Sequence, residues 1–391
     1  MKRILLATIL ALSFTNSQSQ TWTTLNSGFN ESLTSLFITP QGKVFVAGTG
    51  GLFATSTDGG ETWNQINASD GEDIEDIFFF NENDGMILYK DGVLLTTDGG
   101  ATFPVFGSTT GELYDLTFAD ENRGWAVGKD GIVNYSTDGG QTWMLQSAGT
   151  SEDLETVSFA DLNHGLLVGK NSLARKTSDG GSNWSNAGVN GNEDFATVSF
   201  IDANRAWIAG AGGEIFYTSN GGTSWTPQFS PVEEDFFTMH FVNASNGFIA
   251  GDNGTIISTT DGGSIWNQNN TDVNAPLNAI FMVTHDYGFA VGDNGTILRL
   301  GDVSTGINEI KNNISIEVFP NPASHFITIQ SAQGNEIQRI DLTDASGRLI
   351  MSLIPEEAKM DFSIGDFKQG VYFVTTTNID GAKTISKVVK Q

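Results

Sequence analysis

The sequence predicts an all-β fold, and three features carry that expectation. One octet of Ser/Thr, Asp, paired Gly and Trp recurs six times, at intervals of 40 or 41 residues. Between copies, apolar runs of five or six residues alternate with polar turns rich in Gly, Asn and Asp, the pattern of short strands. The 391-residue chain has 46 glycines, 27 phenylalanines and no cysteine, so tight turns and a large aromatic core must hold it without disulfides.

The chain opens with Lys2 and Arg3, then the apolar run ILLATILALSF (4–14), then Ser17 and Ser19. A basic start, an apolar centre and small residues at −3 and −1 predict a signal peptide over 1–19, cleaved before Gln20. The run is too short to span a bilayer, and no later segment reads as transmembrane.

The octets are STDGGETW (56–63), TTDGGATF (96–103), STDGGQTW (136–143), TSDGGSNW (177–184), TSNGGTSW (218–225) and TTDGGSIW (259–266). Their third residues are Asp58, Asp98, Asp138, Asp179, Asn220 and Asp261. Paired glycines permit positive φ, Asp or Asn accepts backbone N–H bonds in the turn, and Trp buries a flat surface between sheets. The octet therefore reads as structural. Its two or three oxygens fall short of a calcium loop, and the replacements Asn220 and Phe103 suit a turn better than chemistry.

Each unit holds a first strand such as LYDLTF (113–118), a second such as GWAVG (124–128), a third running into the octet and a fourth starting at its Trp. Four strands in about 40 residues make one propeller blade. First strands begin near residues 33, 74, 113, 154, 195, 236 and 277, which predicts a seven-bladed β-propeller over 20–303. The last unit has three strands and no octet, while TWTTLN (21–26) resembles the TWNQIN (62–67) after the first octet. Residues 21–26 are thus expected to complete the seventh blade and close the ring, removing an open edge.

Residues 20–303 hold 36 Asp/Glu against 9 Lys/Arg, which argues against nucleic acid as a partner and permits cations or basic partners. The loops entering the first strands are acidic in nearly every blade, on the face opposite the octets. The candidate binding residues on that rim are Glu75, Tyr114, Asp115, Glu155, Asp194, Glu234 and Phe237. Position two of the first strands varies most: Thr34, Glu75, Tyr114, Glu155, Ala196, Phe237 and Asn278. No cofactor is expected, with Ca2+ on the acidic rim as the alternative. His164, His240 and His285 lie in different units without metal spacing.

The octets resemble the Asp box of sialidase-like (BNR) propellers. The nearest flavour is the family of the photosystem II assembly factor, whose blades read GW-x-VG-x-x-G and then T-x-DGG-x-x-W. The resemblance covers roughly residues 20–303. A sialidase would need three converging arginines, and Arg123, Arg175, Arg205 and Arg299 do not supply them in this register, so that activity is not carried over. The assembly-factor relatives bind through a basic patch; this chain is acidic there, so their partner is not carried over either.

Residues 304–313 read as a linker and 314–391 as a small β-sandwich with turns at DASG and NIDG. This tail resembles the type A sorting domain of the type IX secretion system. The matching residues are FPNP (319–322, with Pro320, Asn321 and Pro322), Asp344, Gly347, Arg348 and Leu349, QGVYFV (369–374, with Gly370 and Tyr372), and the closing KVVKQ. The resemblance implies a Bacteroidetes protein that is secreted or held at the outer-membrane surface, with the secretion machinery as partner.

The expected function is non-covalent binding of an extracellular carbohydrate or protein by a monomer. A glycoside hydrolase using two rim carboxylates, and a structural surface protein without a specific ligand, are the alternatives; the enzyme is the less favoured.

Overall fold

The computed structural model describes residues 21–301 apart from Pro40 and Asp91. In the C-terminal segment it describes 316–319, 323, 325–331, 337–344, 349–353, 359–365, 367–378 and 383–390. The expected signal peptide, the linker 304–313, and Pro320, Asn321, Pro322, Gly347 and Arg348 lie outside the described residues.

Strands from Trp22 to Leu300 form seven four-stranded sheets, each antiparallel and meandering. Blades 1 to 6 span residues 33–67, 74–108, 113–147, 154–186, 195–228 and 236–268. Blade 7 takes three strands from 277–300 and its fourth from Trp22–Leu25, paired antiparallel with Thr296–Leu300 (Trp22 opposite Leu300, Leu25 opposite Ile297). First strands adjoin one another in sequence order, and that of blade 7 adjoins that of blade 1, so the sheets form a closed ring.

Six of the seven second strands are buried end to end, as in Gly124–Gly128 and Ala206–Gly210, because neighbouring blades cover both of their faces; in blade 2 only Tyr89, at the strand's end, is part-exposed. Their aromatic residues join one blade to the next. Trp125 stacks on Phe159 at 3.5 Å, Trp207 on Phe241 at 3.8 Å, and Phe45 on Phe79 at 3.8 Å. The octet tryptophans meet these stacks edge-on: Trp184 lies 5.9 Å from Phe159, and Trp266 lies 6.0 Å from Phe241.

The octets are turns. In the third of them Asp138 Oδ1 accepts from Thr142 N (2.8 Å) and Ser136 Oγ (2.9 Å), and Oδ2 accepts from Thr142 Oγ1 (2.6 Å). Asp58, Asp98, Asp179 and Asp261 bind their turns through the same Oδ1 bonds. Asn220 keeps the pattern with its amide, accepting from Ser224 N and donating to Ser224 Oγ, both at 2.9 Å. Hydrogen bonds from Thr62 and Thr102 hold the Asp58 and Asp98 carboxyls down to about 2. The glycine pair is required at Gly60, where φ is +85° and a Cβ would sit 2.6 Å from Leu25 Cδ1 of the closing strand.

The tail has a three-stranded sheet (Ile316–Phe319, Phe326–Ser331, Lys359–Ser363) and a four-stranded one (Leu349–Leu353, Ile337–Asp344, Gly370–Asn378, Lys383–Lys390). They share a core of Ile327, Ile329, Ile340, Leu342, Val374 and Val388. Gly370 opens the longest strand, and Tyr372 Oη donates to Lys368 O at 2.9 Å.

Candidate functional site

Every first strand carries a bulge at the same place. Its pairing with the second strand jumps from Leu33 to Ser35, from Ile74 to Asp76, from Leu113 to Asp115, and likewise in the other four blades. The skipped residue is left out of the ladder, and the bend re-aims its side chain. The skipped residues are Thr34, Glu75, Tyr114, Glu155, Ala196, Phe237 and Asn278, and all seven line one axial cavity of about 490 Å³.

Glu75 is half-buried and makes no ion pair among the described residues. Burial first, then the charges of Asp73, Glu112 and Asp76, push its carboxyl up. It also lines a second cavity, of about 760 Å³, between blades 2 and 3, beside Glu72, Lys90 and Glu112. Tyr114, from the next blade, has its phenol raised by burial and then by Glu112. Glu155 is ion-paired with Lys170 at 3.2 Å. Phe237 keeps 36% of its surface exposed at the mouth.

Asp115 belongs to the same cavity but is not a free rim carboxylate: its Oδ2 accepts from Val157 N of blade 4 at 2.8 Å. Asp194 stands outside the cavity lining. One of its oxygens accepts from Asn171 N at 2.8 Å, and the other lies 3.4 Å from Lys170. Glu234, on the loop into blade 6, is also outside the lining. The structure therefore gathers Glu75, Tyr114, Asp115, Glu155 and Phe237 and leaves Asp194 and Glu234 apart.

Much of the acidity on this face has a structural use. Asp73, Asp153, Asp194 and Asp235 each accept the backbone N–H at the turn between second and third strands of the preceding blade, all at 2.8 Å. These turns need positive φ (56° at Asp130 and at Asn171), and the incoming carboxylate satisfies an N–H the turn leaves over. The signal for this joint was a recurring 23-residue interval between turn and aspartate, which composition alone hides.

Among the described residues no three His, Asp or Glu side chains converge in a way that would hold a metal ion, so the Ca2+ reading gains no support. The arginines are engaged elsewhere: Arg123 with Asp120 (3.3 Å), Arg205 with Asp202 (2.6 Å), Arg175 with Gly149 O (2.8 Å), and Arg299 with Gly59 O and Glu61 (both 2.8 Å). His164 pairs with Asp161 at 2.8 Å on the octet side. His240 is enclosed in the channel wall, stacked on Phe281, and its Nδ1 accepts from Met282 N at 3.3 Å. Burial pulls its imidazole down to about 4.

Two family models match the chain. Residues 146–228 and 232–301 match that of photosynthesis system II assembly factor YCF48, and residues 317–391 match the secretion system C-terminal sorting domain. No curated protein matches. Among solved structures, YCF48 from Cyanidioschyzon merolae is 19% identical, with a TM-score of 0.61 over 71% of this chain and 98% of its own. A YCF48 bound to D1 peptide is 18% identical, with a TM-score of 0.62 over 73% and 96%. The WD40 β-propeller domain of Doa1 is 11% identical, with a TM-score of 0.61 over 73% and 97%. At these identities the likeness is one of fold. The chain is therefore a β-propeller similar to YCF48, followed by a sorting domain for export through the type IX secretion system to the cell surface or beyond.

Proposed function

We propose that the propeller, once exported, binds an extracellular carbohydrate or protein non-covalently at the mouth of its axial channel. The observation that carries this is the convergence of seven bulge residues on one cavity, with different chemistry in each blade. Repeats that served only to build the ring would need no such variety at that one position. Tyr114 and Phe237 offer ring faces for a sugar or an apolar side chain, and Glu75 and Glu155 offer acceptors and charge. The solved relative bound to D1 peptide supports a peptide among the ligand classes.

The test is a screen of the full chain against glycan and peptide arrays, repeated with Tyr114→Ala and Phe237→Ala. Loss of a central aromatic anchor is expected to weaken binding at least ~10-fold. Asp138→Ala, on the octet face, should leave affinity unchanged. Binding untouched by both mouth variants would overturn the proposal.

One observation favours hydrolysis as a second reading. The carboxyl of Glu75 is raised by burial, whereas Glu155 sits in an ion pair, the unequal surroundings that an acid and its partner carboxylate need. Turnover of a chromogenic glycoside that Glu155→Gln abolishes would replace the binding reading by this one.

A further inference from the structure

Inner strands of neighbouring blades are joined by side chains at position three. Ser35 Oγ accepts from Ile77 N of blade 2 at 3.2 Å, and Thr238 Oγ1 accepts from Ile280 N of blade 7 at 3.3 Å. The same position is Asp76 in blade 2 and Asp115 in blade 3, two carboxyls in successive blades. Asp76 Oδ1 accepts from Ser35 Oγ (2.7 Å) and Ile77 N (2.8 Å), and its Oδ2 accepts from Leu116 N (3.1 Å). Asp115 Oδ2 accepts from Val157 N (2.8 Å). Asp76 stands to Asp115 as Ser35 stands to Asp76: each accepts from the amide just after its partner, and Ser35 Oγ reaches the Asp76 carboxyl at 2.7 Å, so the two carboxyls face each other across the joint between blades 2 and 3. One chain of contacts thus runs through the inner strands of blades 1, 2, 3 and 4.

Two carboxyls share a hydrogen bond only when one of them carries a proton. We propose that Asp76 and Asp115 hold one proton between them at neutral pH and form an alkaline-sensitive latch between blades 2 and 3. The groups around them do not favour a second charge. Glu75 and Asp73 lie on the blade 2 side and Glu112 and Tyr114 on the blade 3 side. Glu155, on the blade 4 side, is already paired with Lys170, and Lys129 is paired with Glu112 at 3.2 Å. The inner strand of blade 1 supplies only the Ser35 hydroxyl. Burial raises both carboxyls, and for Asp115 the neighbouring Asp76 charge adds to the shift. At high pH the proton leaves for channel water, and two like charges face each other across the blade joint. Glu75 and Tyr114 directly precede the two aspartates, so the latch also sets the mouth residues.

The sign follows from the direction of the shift. The fold favours the protonated pair, so its stabilisation is complete in acid and is lost as pH rises through the folded-state range. Glu75 acts in the same direction. His240, lowered to about 4, acts oppositely: stability is lost as pH falls from its ordinary range toward that value, and its contribution is flat above neutrality.

The test is thermal unfolding of the full chain between about pH 7 and about pH 9.5. The wild-type midpoint is expected to fall by ~3 °C, and Asp115→Asn, which keeps an acceptor for Val157 N, to remove most of that fall. Equal pH dependence in both would overturn the latch. If Asp115→Asn does not fold, infrared spectra decide. In a Glu75→Gln background at pH 7, a protonated-carboxyl C=O band that vanishes in alkali is expected, and its absence overturns the proposal. Neither readout involves a ligand, so this inference and the binding proposal fail separately.

Discussion

Without its N-terminal strand the propeller is expected to lose cooperative unfolding. The strand Trp22–Leu25 supplies the outer edge of blade 7, and its removal would reopen the ring. Trp22 is 2% exposed and meets Phe248 edge-on at 6.3 Å, within a cluster that includes Leu277, Ala290 and Leu298. Leu25 reaches the octet of blade 1 at Gly60. One short strand therefore joins blades 6, 7 and 1. Trp22→Ala alone should destabilise the protein by about 3–5 kcal/mol, the usual effect of removing a buried aromatic. Deleting residues 20–28 should abolish a single thermal transition, because the newly exposed edge is also a route to aggregation. Calorimetry checks both. A deletion variant that melts where the wild type does would show that the ring does not depend on this closure.

Removing residues 314–391 is expected to stop the protein reaching the cell surface or the medium. The tail folds around its own core, and the sorting-domain match covers 317–391. Fractionation of the producing cells should find the truncated chain retained inside the outer membrane, with a propeller that still melts cooperatively. Equal surface or medium levels of truncated and full-length chain would contradict a sorting role. If the truncated propeller also fails to fold, fusing the tail to an unrelated periplasmic protein and following its export gives the same answer.

The ring was legible in the sequence because its grammar repeats. The spacing of Asp58, Asp98, Asp138, Asp179, Asn220 and Asp261 set the blade length, and the missing seventh octet pointed to residues 21–26 as the closing strand. The octets bind themselves through bonds two to four residues apart, so their turn role needed no tertiary knowledge. The mouth was legible only in part. Variation marked Glu75, Tyr114, Glu155 and Phe237, but the bulge that directs them to the axis is a register event, which side-chain alternation does not reveal. Acidity also overstated the rim. Asp194 and its equivalents face a turn in the preceding blade, and Asp115 faces a backbone N–H 42 residues away. Those pairings depend on how blades dock, so composition read them as free charge.

Binding at the channel mouth is tested most directly by a hydrogen-exchange footprint of the full chain with and without whichever array ligand it binds. Slowed exchange is expected in the first strands that line the channel, around Glu75, Tyr114, Glu155 and Phe237, with the octet turns unchanged. Protection confined to the octet face, or to the outer strands, would contradict it.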